Sequence, residues 1–170
     1  MTTATFTFPT YRLAKILRQP GGKSVAAALK DAEEGVAGLV EPCLAAIDVA
    51  MKAIDGHLAS MTAGSTAAAA DRLYKEANGI IGLASAAGLP EMDRAAYSLC
   101  DLLDRMQAAG RWDRSAIVVH VQALYLLRQP SALGSDGSVR LVLLGLKKVR
   151  EKLFLAEDVK ASNTDPAPGR

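Results

Sequence analysis

Apolar residues return every three or four positions along most of this chain. Val36, Val40, Leu44, Ile47, Met51, Ile54 and Leu58 form one such series, and Met92, Ala95, Leu99, Leu102, Leu103 and Met106 form a second. Ile117, Val121 and Leu124, followed by Leu127 or Arg128, make a third; Val139, Val142, Leu146, Val149 and Leu153 make a fourth, at heptad positions. A repeat near 3.6 keeps such residues on one helical face, whereas a half-buried strand needs a period of two. The apolar half of the composition is mostly Ala, Leu and Val, with aromatics at only 5%, and this favours packed helices over a sandwich or barrel. The expected fold class is all-α.

Boundaries follow from caps and breakers. Residues 1–23, with Pro9, Pro20, Gly21 and Gly22, read as a partly ordered lead-in. A long helix is expected from an N-cap at Ser24, either kinked at Pro42 or replaced there by a new helix with Pro42 in its first turn. After a turn at 62–66, a second helix is expected over 67–87, with Leu73, Ala77, Ile80 or Ile81, and Ala84 inward and Gly88 and Pro90 beyond its end. A third runs from Glu91 to about Ala108, closed by Gly110, and a fourth begins at an Asp113 cap and ends before Pro130. Short turns make this an up-and-down four-helix bundle over about 36–129, with a further helix at about 138–157 and a polar, disordered tail at 158–170. At 170 residues, one domain over 24–157 is the expectation.

Several function classes are disfavoured. A net charge of +2 gives no field that would attract nucleic acid or an anionic membrane. Arg140, Lys147, Lys148, Arg150 and Lys152 are read as a solvated face mixed with Glu151 and Glu157. Cys43 and Cys100 form no CxxC pair and read as small core residues, reduced in a cytoplasm. Apolar runs are broken well short of the ~20 residues a membrane span needs. "GGKS" at 21–24 would need a glycine at position 17 to be a phosphate-binding loop, and that residue is Leu17. No set of side chains has metal-ligand spacing, and no cofactor is expected.

"ANGIIG", Ala77 to Gly82, followed by "LASAAGL" with Gly88, resembles the central motif of the histidine phosphotransfer (HPt) family, close to A-H-x-L-K-G with a glycine some six residues later. "YSLCDLLD", Tyr97 to Asp104, is similar to the family's third helix, where a Cys or Leu and an acidic residue often recur. The resemblance covers about 36–129 and implies a four-helix bundle in a bacterial two-component or chemotaxis pathway, with a receiver domain or a histidine kinase domain as partner.

Two departures limit what this implies. Asn78 stands where the family has its histidine, and Ile81 where it has a lysine. An amide nitrogen has a delocalised lone pair and cannot attack a phosphoaspartate, and Ile81 cannot offset phosphoryl charge. No catalytic residue is assigned. What remains is a surface: Asp71, Lys75, Asn78, Gly79, Ile81, Gly82 and Ser85, with Asn78 exposed in the middle of its helix. Gly79 and Gly82 each cost a helix up to ~1 kcal/mol relative to Ala, so they call for close approach, either by a partner or by another helix of this chain. On this reading the protein is a non-phosphorylatable adaptor. The alternatives are a receiver phosphatase using the Asn78 amide, for which Asp71 and Glu76 are poorly spaced on the helix, or an unconventional phosphotransfer protein, and a structural bundle that forms homo-oligomers through its last helix. His57 and His120 lack the lysine and glycine of the motif and read as structural.

Overall fold

A computed structural model describes residues 21–61 and 66–162. Every regular element among them is helical. The chain divides between Ala37 and Gly38 into two units.

The first unit contains α1, Val25–Ala37. Ser24 caps it, its Oγ accepting the Ala27 amide at 3.2 Å and its carbonyl the Ala28 amide at 2.9 Å. Lys23 pairs with Asp31, and Lys30 lies 3.7 Å from Glu34 one turn on. Val25, Leu29 and Val36 are exposed on this helix. Val36 therefore does not open the core series expected of it.

The second unit holds α2 (Val40–Ala59), α3 (Thr66–Ile80), the single turn α4 (Leu83–Ala86), α5 (Pro90–Ala109), α6 (Arg114–Arg128), a 3-10 turn at Pro130–Leu133 and α7 (Asp136–Ser162). Pro42 is the third residue of α2, where its missing N–H deprives the helix of no bond. Of the two readings of Pro42, the new helix is the one observed. The turn expected at 62–66 lies mostly outside the described residues, as do most of the lead-in and positions 163–170 of the tail; positions 158–162 are helical.

Ile47, Ile54, Leu73, Ile80, Met92, Leu99, Leu102, Ile117 and Leu124 are fully buried in one core. Each such side chain contributes about 1.5–3 kcal/mol relative to exposure. The core joins α2 to α3, α3 to α5 and α5 to α6, while α7 lies against both α5 and α6. Val139, Leu146 and Phe154 are the buried anchors of α7. Phe154 is off the heptad series; the Arg105 guanidinium stacks 5.5 Å from its ring centre. Cys100 is buried as expected, but Cys43, in the first turn of α2 and one turn before the first buried residue Ile47, is only half-buried.

A polar seam ties α6 to α2. Arg128 bonds both carboxylate oxygens of Asp48 at 2.8 and 3.1 Å, the Tyr125 hydroxyl donates to Asp55, and Arg114 donates to the Leu58 carbonyl at 3.2 Å. The pairs run in opposite order along the two helices, which are therefore antiparallel. At the start of α6 the Asp113 carboxylate accepts the Ala116 amide at 3.0 Å, as the sequence predicts of a cap.

Candidate functional site

Inward burial of Leu73, Ala77 and Ile80 turns the other side of α3 outward, and Asp71, Lys75 and Asn78 are exposed there. The helix does not continue to 87. It ends at Ile80, and the Ile81 amide folds back on the Asn78 carbonyl at 3.2 Å. Gly82 follows at φ +87°, a conformation that residues with a Cβ rarely adopt. Asn78 is thus two residues from a helix end rather than mid-helix, which corrects the expectation for this segment.

Asp93, in the first turn of α5, fixes the break. One carboxylate oxygen accepts the Gly82 amide at 2.9 Å and the other accepts the Ser85 hydroxyl at 2.5 Å. The short α4 then closes through the Gly88 amide to the Ser85 carbonyl at 3.0 Å and the Leu89 amide to the Ala84 carbonyl at 2.7 Å, with Gly88 at φ +78° and Pro90 opening α5. Asp93 carries no sequence signal of this role, because its partners lie eight and eleven residues away.

The two glycines of the motif therefore differ. Gly82 is needed for its backbone angle, not for close packing. Gly79 lies within α3, and a Cβ added at either position would meet nothing within 4 Å. Among the described residues no other helix approaches closely at either position, the alternative left open by the sequence.

Beside Asn78 runs a groove of about 190 Å³ between α3 and α5. Tyr74, Asn78 and Ile81 line one side, and Tyr97, Cys100, Asp101 and Asp104 line the other. Ile81 is half-buried here, Ser85 is exposed and held by Asp93, and Asp71 and Lys75 are not among the lining residues. The α5 residues were legible as a likeness to the family's third helix, but their convergence on Asn78 follows from helix packing alone. Asp104 pushes the Tyr74 phenol above its ordinary value, with smaller contributions from Cys100, burial and Tyr97. Burial, with Asp104 adding, raises the Cys100 thiol to about 11. Asp101 is engaged by Arg105 at 3.3 Å and by Arg150 of α7. The groove thus offers an amide, two phenols and two carboxylates, groups suited to hydrogen bonding, while its thiol is held in the non-nucleophilic form.

His120 is fully buried, its Nδ1–H donating to the Ala116 carbonyl at 2.8 Å, which leaves Nε2 to accept the Ser98 hydroxyl at 3.1 Å. Burial lowers its pKa; the Ala116 bond opposes that shift and Arg150 adds to it. His57 is half-buried near the end of α2. Among the described residues no group of three or more His, Cys, Asp and Glu side chains could hold a metal ion, and no helix is long and apolar enough to cross a membrane.

No protein-family model, curated protein or solved structure matches the chain.

Proposed function

We propose that the chain is a degenerate HPt-like domain in which α2, α3, α5 and α6 form the four-helix bundle and α7 is an added helix. Its α3 surface docks a receiver or histidine kinase domain in a cytoplasmic two-component or chemotaxis pathway without carrying phosphate. The observation that carries the reading is the pairing of an exposed Asn78 with Gly79, a glycine in the last turn of α3 that no described residue approaches closely. A glycine there costs helix stability, up to ~1 kcal/mol against Ala, and it leaves the backbone bare beside the position the motif reserves for its histidine. Asn78 can donate through its NH₂ to an acidic pocket on the partner.

The test uses receiver domains of the native cell charged with acetyl phosphate. Wild-type protein forms a complex, and Gly79→Leu loses it by steric overlap while melting at the same or a higher temperature. A second arm installs the missing chemistry: Asn78→His with Ile81→Lys takes acid-labile label from the charged receiver, and wild type takes none. No complex with any receiver or kinase domain, and no label on the double variant, would sink the proposal.

One observation favours a second reading. Asn78 and Asp104 line the same groove, an amide and a carboxylate on neighbouring helices where the spacing along one helix offered no such pair. A receiver phosphatase would use this pair to orient water. Faster loss of label from the receiver, abolished by Asp104→Asn, separates this reading from the adaptor.

A further inference from the structure

The cations of α7, which read along the sequence as a solvated face, converge on a cleft against α5. Arg140, Lys147 and Arg150 of α7 and Arg94 and Ser98 of α5 line a cavity of about 380 Å³, with Leu143, Leu144 and Leu146 as its apolar wall. Among the described residues no carboxylate lines it. A second cavity of about 480 Å³ shares Arg94 and Arg140 with it, and Glu91, Leu127, Pro130 and Val139 are among its lining residues, so the carboxylate lies on that side and not in the first cleft. Each volume falls in the range of small-molecule sites.

Internal carboxylates engage Arg94 and Arg150 closely but leave Arg140 and Lys147 largely available. Arg140 has no carboxylate partner among the described residues, and Lys147 has only a loose contact with Glu151 at 3.6 Å, both side chains being largely exposed. Arg94 is paired with Glu91 at 3.1 Å, and Arg150 with Asp101. Arg150 nevertheless buries its Nε without an acceptor. A buried donor left unpaired is costly, and the same guanidinium lines the cleft. Ser98 commits its proton to His120, so the charged side chains and not this hydroxyl would hold an anion.

We propose that the α5–α7 cleft binds a phosphate-bearing anion, a diphosphate or nucleotide in size, through Arg94, Arg140, Lys147 and Arg150. Guanidinium forks match phosphate oxygens two at a time, Lys147 adds a mobile point charge, and the apolar walls suit an organic body attached to the phosphates. The site is separate from the Asn78 groove, although Asp101 touches both by lining that groove and pairing with Arg150.

Calorimetry with sodium pyrophosphate and with adenosine diphosphate, at fixed ionic strength, tests this. Both probes bind the wild-type chain and raise its melting temperature. Arg140→Ala and Lys147→Ala each weaken binding about tenfold or more, and because both side chains are exposed the variants keep the wild-type circular dichroism. Lys52→Ala, a cation removed from α2, leaves binding unchanged. Tighter binding of adenosine diphosphate than of pyrophosphate places an organic body in the cleft, and equal binding assigns recognition to the phosphates. Absence of binding by both probes, or binding that Arg140→Ala and Lys147→Ala leave intact, would overturn the proposal, as would capture of a poly-glutamate peptide with no response to pyrophosphate.

Discussion

Gly82 and Gly79 are three residues apart, and they answer a substitution in opposite ways. At Gly82 the positive φ makes any Cβ strained although the space is open, so Gly82→Ala should destabilise the fold by about 1–3 kcal/mol in chemical denaturation. At Gly79 the backbone is helical and the space is also open, so Gly79→Ala should raise stability by up to ~1 kcal/mol. His120 gives a prediction in pH. Its pKa in the fold lies below the ordinary ~6.5, so the neutral form is preferred. The stability it contributes is present above that ordinary value and is lost as pH falls through the folded value. Thermal melting followed from pH 7.5 down to 5 should show this loss, and His120→Leu should flatten the slope across that window. Sensitivity unchanged by the substitution would mean that another group titrates.

At the scale of elements, the break between α3 and α4 is held by one side chain from a third helix. Asp93→Ala removes the acceptor of both the Gly82 amide and the Ser85 hydroxyl. It should cost about 1–3 kcal/mol and speed hydrogen exchange at the Gly82 amide while leaving the amides of α6 protected. The cap of α6 is independent of that junction. Asp113→Ala should cost about 0.5–2 kcal/mol, and the two losses should add, since they share no partner. Non-additivity measured in the double variant would show that the junction and α6 are coupled through the core. The seam between α6 and α2 should matter less. Asp48 is half exposed, so solvent screens its pair with Arg128, and Arg128→Ala should change stability by no more than about 1 kcal/mol.

Across the whole molecule, α7 brings the two candidate sites into contact. It packs its apolar residues on α5 and α6, and its Arg150 reaches Asp101, which also lines the groove beside Asn78. Asp101→Asn should therefore act on both sites. With its pairing to Arg150 weakened, that guanidinium is freer for an anion, so pyrophosphate should bind about as tightly as to wild type or more tightly, while the Asn78 groove loses a carboxylate. Calorimetry on this variant checks the direction, and weaker pyrophosphate binding would count against Arg150 as an anion ligand.

The series at Ile47–Ile54, Met92–Met106 and Ile117–Leu127 determined by themselves that the chain is helical and which faces are inward, because burial of one helical face writes a 3.6-residue period into the sequence. Ser24, Asp113, Gly110 and Pro130 marked helix ends in the same way, since a cap acts on residues within one turn of itself. The end of α3 at Ile80 was not legible. "NGIIGLASAAG" keeps a helical spacing through Gly82, and what stops the helix is a carboxylate eleven residues from the amide it binds. The same holds for the groove and the cleft. Asn78 could be placed on a surface from its own helix, but Tyr97 and Asp104 line the groove beside it only because α3 and α5 pack side by side. Arg94 and Arg140 are 46 positions apart and meet only because α7 lies on α5. A sequence records its short-range hydrogen bonds and the period of its faces, whereas which faces meet is decided by tertiary packing.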